Sequence, residues 1–129
     1  MPNRILIIAH EPLASTLQKC AGHVYGDNRV PVLTLDVKAD VSPQESLRQA
    51  NALLAGADQT PVLVLTDIVG ATPCNVAQQV LKSNHGKLVA GVNLPMLLRA
   101  LTYQQQPLEE LVTLVQGGGI QGVVEVKTN

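Results

Sequence analysis

An open, mainly parallel α/β sheet with helices on both faces is the fold class predicted by this sequence, on three observations. Short apolar runs alternate along the chain with longer stretches of helical periodicity. Several of those runs are apolar at every position, as strands buried on both faces require. The chain has 129 residues and 46% apolar content, enough to bury one core, so a single domain over residues 1–129 is expected.

Arg4 to Ala9 is continuously apolar after its first residue and reads as the first buried strand. Leu13 to Tyr25 follows as a helix, because Leu13, Leu17, Cys20, Ala21 and Val24 fall on one face. Gly26-Asp27-Asn28 ends it with turn chemistry. Val30 to Val37 is a second strand, with Pro31 near its start, where a missing donor is tolerated. Ser42-Pro43-Gln44-Glu45 then marks a helix start, with Ser at the cap and Pro at the first helical position. That helix runs to about Ala55, and Gly56 suits a left-handed stop.

Pro61 to Thr66 is a third buried strand, and the polar loop Asp67 to Thr72 leads to a helix from Pro73 to about Lys82. Leu88 to Val92 is a fourth strand, followed by a helix from Asn93-Leu94-Pro95 to about Thr102. Leu108 to Gln116 is a fifth helix, which Gly117-Gly118-Gly119 is expected to break. Ile120 to Lys127 alternates in part, and its pattern suits an edge strand.

Composition removes several function classes. The core is aliphatic, with 19 Leu and 17 Val against no Phe, no Trp and two Tyr. Charged residues are 15% and the net charge is −1, so there is no electrostatic footprint for nucleic acid or an anionic membrane. The missing aromatics also remove a stacking platform for single strands. No apolar run approaches the ~20 residues of a membrane span, and residues 1–12 lack a signal-peptide pattern. Cys20 and Cys74 stand in no metal or redox spacing and read as small packed thiols in a reducing cytoplasm. No metal and no cofactor are expected.

Sheets of this class bind ligands beyond the carboxyl ends of the strands, where strand order reverses. The first strand ends at His10 and the third at Asp67. In the common order 2-1-3-4 these strands are neighbours, which sets an imidazole against a carboxylate across the crevice. A strand-end His and a turn Asp without chemistry is the plainer alternative. The loop continues as Gly70-Ala71-Thr72-Pro73, with Thr72 expected to cap the helix that follows. The free N–H groups of Gly70, Ala71 and Thr72 beside a helix N-terminus suit an anion. An imidazole beside an anion cradle is an arrangement that phosphoryl transfer uses.

Neither Lys nor Arg occurs in these two loops, which fits a site that releases phosphate onward. The chain has no GxxxxGK[ST] loop and no GxGxxG after its first strand, which argues against nucleotide hydrolysis and dinucleotide binding. Val80 stands where a Cys-x5-Arg phosphatase built on Cys74 would need Arg. A receiver domain would need paired acidic residues where this chain has His10-Glu11. His23 and His85 read as solvated or packing histidines.

The strand ending in His10, the segment TDIVGATPCN (Thr66 to Asn75) and the segment AGVNLPMLLRAL (Ala90 to Leu101) together resemble the mannose-type IIA family of the bacterial phosphoenolpyruvate:sugar phosphotransferase system. The resemblance covers essentially the whole chain. It implies a parallel sheet in 2-1-3-4 order and a homodimer in which the C-terminal strand pairs with the other subunit's sheet. It also implies that His10 accepts phosphate from the phosphocarrier HPr and passes it to a IIB component, with Asp67 as the partner of His10. Three positions depart from the family pattern: Glu11 where Gly is frequent, Val69 where some members have an aromatic residue, and Thr72 where Ser is also usual.

The expected function is therefore a cytoplasmic histidine phosphocarrier, with HPr as donor and a IIB component or a regulatory protein as acceptor. Three alternatives stand beside it: a regulatory module without sugar transport, a protein that only binds a small ligand through His10 and Asp67, and the phosphotransferase subunit of dihydroxyacetone kinase. Glu11, and the absence of an Ala/Pro/Lys-rich tail before Asn129, favour the regulatory role over a fused transporter.

Overall fold

The computed structural model describes residues 2–26, 30–56 and 60–129. Among these residues four strands, β1 (Arg4–His10), β2 (Val32–Val37), β3 (Val62–Thr66) and β4 (Gly86–Ala90), form one parallel sheet in the order β2-β1-β3-β4. Five helices among the described residues connect or cover them: α1 (Leu13–Tyr25), α2 (Pro43–Leu54), α3 (Thr72–Val80), α4 (Leu94–Thr102) and α5 (Leu108–Gln121). No helix among the described residues is long and apolar enough to cross a membrane.

The period of two along β1 sorts the core into two layers. Ile5, Ile7 and Ala9 pack on one face with α1, α4 and α5. Leu6 and Ile8 pack on the other with α2 and α3. Ile5 to Ala9 and all of β3 are buried, which is why both segments are unbroken apolar runs. Successive strands go outward from β1 to β2 and from β3 to β4, so order reverses between β1 and β3.

Ser42 accepts the Glu45 amide at 3.1 Å, with Pro43 as the first helical residue, as the α2 start signal predicts. Gly26 and Gly56 take left-handed φ values of 70° and 82°, while Asp27 and Asn28 lie outside the described residues. Strand β4 runs Gly86–Ala90, two residues earlier at each end than expected, and beyond it the Val92 N–H donates to the Thr66 carbonyl at 3.0 Å. Gly86 is where the chain enters the sheet most tightly. A Cβ there would overlap the Val62 carbonyl and lie 2.8 Å from Val62 Cγ1 and 2.9 Å from Leu81 Cδ2. Gly86→Ala is expected to destabilise the protein by about 1–3 kcal/mol, the usual cost of overpacking. Urea unfolding should show a lowered midpoint with an unchanged slope. An unshifted midpoint would contradict this packing.

Two expectations at the C-terminus are corrected. Gly117-Gly118-Gly119 does not break the fifth helix, because α5 runs through it to Gln121. Glycine costs helix stability, but here it lets α5 approach α4 closely. A Cβ on Gly118 would meet Arg99 Cβ at 3.0 Å, and one on Gly119 would meet Met96 Cε at 2.8 Å. Asn93 ties the two helices further, accepting from the Met96 amide at 2.9 Å and donating to the Gly119 carbonyl at 3.1 Å. The second correction is the expected strand from Ile120 to Lys127. Its first two residues belong to α5, and residues 123–129 have no regular secondary structure and pair with none of the described strands.

Candidate functional site

The ladder brings the carboxyl ends of β1 and β3 together. Ile8 pairs with Thr66, so His10 and Asp67 leave adjacent strands at the same end of the sheet. One carboxylate oxygen, Asp67 Oδ2, lies 2.6 Å from His10 Nδ1 and accepts the His10 backbone N–H at 3.1 Å. Its other oxygen accepts the Ile68 N–H at 3.0 Å. Both predicted partners therefore meet where strand order reverses.

Burial differs sharply across the pair. The His10 side chain is 56% exposed and that of Asp67 is 16% exposed. Partial burial pushes the Asp67 carboxyl up. Hydrogen bonds from the His10 ring, the His10 amide and its own amide outweigh this and hold it below the usual carboxylate value. Asp67 is then an acceptor only at neutral pH, so Nδ1 is the ring nitrogen that carries hydrogen toward it. In the neutral ring, Nε2 is left with a lone pair.

Gly70 supplies the turn after Asp67 in a left-handed conformation, φ 88°. The chain then enters α3 one residue earlier than expected. Ala71 is the cap, because the Asn75 N–H donates to the Ala71 carbonyl at 3.1 Å. Thr72 therefore does not cap the helix, and no side-chain hydrogen bond does. Thr72 instead is one of the residues that line the pocket containing His10. Gly70 and Ala71 belong to the turn before it and do not line that pocket. Amides in the first turn of a helix have no intrahelical acceptor, which gives this end of α3 a partial positive charge.

Three contributors come from β2 and the segment after it. Asp36 accepts both the Ser15 amide, at 3.1 Å, and the Ser15 hydroxyl, at 2.5 Å. That contact holds the start of α1 from the neighbouring strand, in place of a cap residue of its own. Val37 pairs with His10 and its carbonyl accepts the Glu11 N–H at 3.0 Å. Lys38 follows directly and places its Nζ 3.9 Å from Glu11 Oε2 at the pocket rim. The loops after β1 and β3 hold neither Lys nor Arg, as the sequence shows. The third wall of the pocket comes from the loop after β2, which brings Lys38 to it. The order β2-β1 was the signal that would have found Lys38, as the first residue beyond the strand beside His10.

The remaining candidates lie elsewhere. His23 is an exposed residue of α1, and His85 is exposed in the turn before β4. Cys74 is buried in the first turns of α3, and Cys20 is half-buried in α1; both are free thiols. Ile68 and Val69, which follow Asp67 in the chain, are apolar residues 59% and 78% exposed.

The sequence is 33% identical over 127 residues to the PTS system mannose-specific EIIAB component of Escherichia coli K12, covering 95% of this chain and 39% of that protein. It is 28% identical over 117 residues to the sorbose-specific EIIA component of Lacticaseibacillus casei, covering 84% of this chain and 80% of that one. The fold matches the mannose/sorbose-specific IIA subunit of Enterococcus faecalis with a TM-score of 0.91, over 100% of this chain and 98% of that one at 23% identity. The chain thus spans well under half the length of the mannose-specific relative. The family model EIIA-man, described as the PTS system fructose IIA component, matches residues 4–116, from the start of β1 well into α5, and the chain therefore belongs to the mannose-type family of PTS IIA components.

Proposed function

We propose that this protein is a phosphoryl carrier of the phosphotransferase system, acting in the cytoplasm, in which His10 accepts phosphate from phospho-HPr and passes it to a IIB component or a regulatory partner. One observation carries the reading: Asp67 Oδ2 engages both the His10 ring and its amide, and leaves Nε2 as the nucleophile in an exposed pocket. In-line attack by Nε2 forms a new N–P bond as the N–P bond to the donor histidine breaks and its electron pair returns to the donor ring. Asp67 balances the positive charge that develops on His10. The start of α3 and the Thr72 hydroxyl would stabilise the transferring oxygens. Transfer onward reverses these roles. Neither metal nor nucleotide enters the scheme, since the phosphoryl group arrives already activated.

The exposure of His10 suits a partner that brings its own reactive residue. The apolar Ile68 and Val69 suit the contact such a partner needs. The test is incubation with phosphoenolpyruvate, enzyme I and HPr, with each protein omitted in turn. Label that is stable to base, labile to acid and dependent on HPr supports the reading. Label that forms without HPr, or none at all, overturns it. Deleting the gene and measuring uptake of mannose-, fructose- and sorbose-type sugars separates a transport acceptor from a regulatory one.

The reading extends to a homodimer. Strand β4 has an open outer edge, and Val123, Val124 and Val126 are between 68% and 78% exposed beyond α5. A groove beside β4 is lined by Leu88, Ala90, Met96, Ile120 and Val123, where an extended segment of a second copy could add as a strand. Deleting residues 123–129 is expected to convert a dimer into a folded monomer, read by light scattering on a sizing column. A dimer that survives the deletion would contradict the exchange.

A further inference from the structure

We propose that Lys38 is a phosphoryl-binding residue that leaves Glu11 and engages the phosphoryl group when His10 carries it. The proposal rests on His10 as the phosphoryl acceptor. Register places the two side chains. His10 is opposite Val37, and the Glu11 N–H donates to the Val37 carbonyl, so the next residues on each strand, Glu11 and Lys38, emerge side by side. Both line the pocket that contains His10 and Thr72, and among its described lining residues Lys38 is the one Lys or Arg.

The energetics favour an exchange of partners. The ammonium and the carboxylate are 3.9 Å apart, and the side chains are 57% and 51% exposed. A contact so long and so well solvated stabilises little and is given up readily. A phosphoryl group on His10 changes the balance, because it brings close to two negative charges into a pocket that already holds Glu11. The start of α3 offers only partial charge against it. Lys38 supplies a full charge on a long, rotatable side chain that can exchange Glu11 for the phosphoryl oxygens. In the unphosphorylated protein, Glu11 holds the ammonium at the rim, ready for that exchange.

Acceptance rates should be measured at His10 with two donors, phospho-HPr and the small molecule phosphoramidate. The proteins are wild type, Lys38→Met, Lys38→Arg and the double variant Lys38→Met/Glu11→Gln, each checked for native circular dichroism. Lys38→Met is expected to slow acceptance about tenfold with both donors, the scale of one partly screened charge contact. Lys38→Arg should stay within about threefold of wild type, as the charge is retained. Adding Glu11→Gln to Lys38→Met should recover most of the loss, because the repulsive carboxylate is then gone. A merely structural role for Lys38 would not give that rescue.

A loss seen with phospho-HPr alone would make Lys38 a docking residue and overturn the proposal. So would a Lys38→Met rate within twofold of wild type, or a double variant no faster than the single one. If wild type takes no label at His10 from phospho-HPr, the carrier reading falls and this proposal with it. If wild type is labelled there and Lys38→Met behaves identically, only this proposal falls.

Discussion

His10→Ala is expected to abolish phosphoryl acceptance from phospho-HPr while leaving the fold in place. The side chain stands at the end of β1, more than half exposed, and adds little to either core layer. Its loss removes the nucleophile, so no weaker residual rate is expected from the same site. The Asp67 carboxylate keeps the backbone N–H groups of His10 and Ile68 as partners, which limits the structural cost. The measurement is the initial rate of label incorporation, with urea unfolding as the control for stability. Retained incorporation, or a variant that fails to fold, would contradict this account of His10.

Asp67→Asn is expected to slow transfer by roughly two to four orders of magnitude, the scale seen when the carboxylate behind a reacting histidine is neutralised. Two losses combine in it. The charge that balances a positive imidazole disappears, and the new amide can present N–H rather than oxygen to Nδ1, which favours the wrong tautomer. A rate within threefold of wild type would reduce Asp67 to a turn residue. The same substitution has a signature in stability. Folding lowers the Asp67 pKa, so the folded chain binds fewer protons than the unfolded one near that value. The resulting stabilisation is present above the ordinary carboxylate range and is lost as pH falls through the lowered value. The stability difference between wild type and Asp67→Asn should therefore shrink as the solution is acidified through that window.

Features set by local chemistry were legible in the sequence. Strands β1 and β3 are apolar throughout because both faces are covered, and Ser42-Pro43 marks the start of α2 through its own hydrogen bond. His10 and Asp67 could be paired because each ends a recognisable strand and the common strand order makes those strands neighbours. Features set by distant partners were not legible. The glycines of α5 look like a break, since their value lies in the approach of Arg99 and Met96 from another helix. Lys38 looks like a surface residue until the β1–β2 register places it against Glu11. Asp36 looks like a strand residue until Ser15 turns toward it from α1. Thr72 looks like a helix cap, but the helix begins one residue earlier, so Ala71 takes that place and Thr72 lies among the residues lining the pocket.

The central claim, that phosphate resides on one strand-end histidine, is tested most directly by mapping the modified residue. Wild-type protein would be phosphorylated by phosphoenolpyruvate, enzyme I and HPr, digested at neutral to basic pH, and sequenced by mass spectrometry. A single modified residue, His10, is the predicted result, with His23 and His85 unmodified. Phosphate on His23 or His85, or a chain that stays unmodified beside a fully phosphorylated HPr, would contradict it.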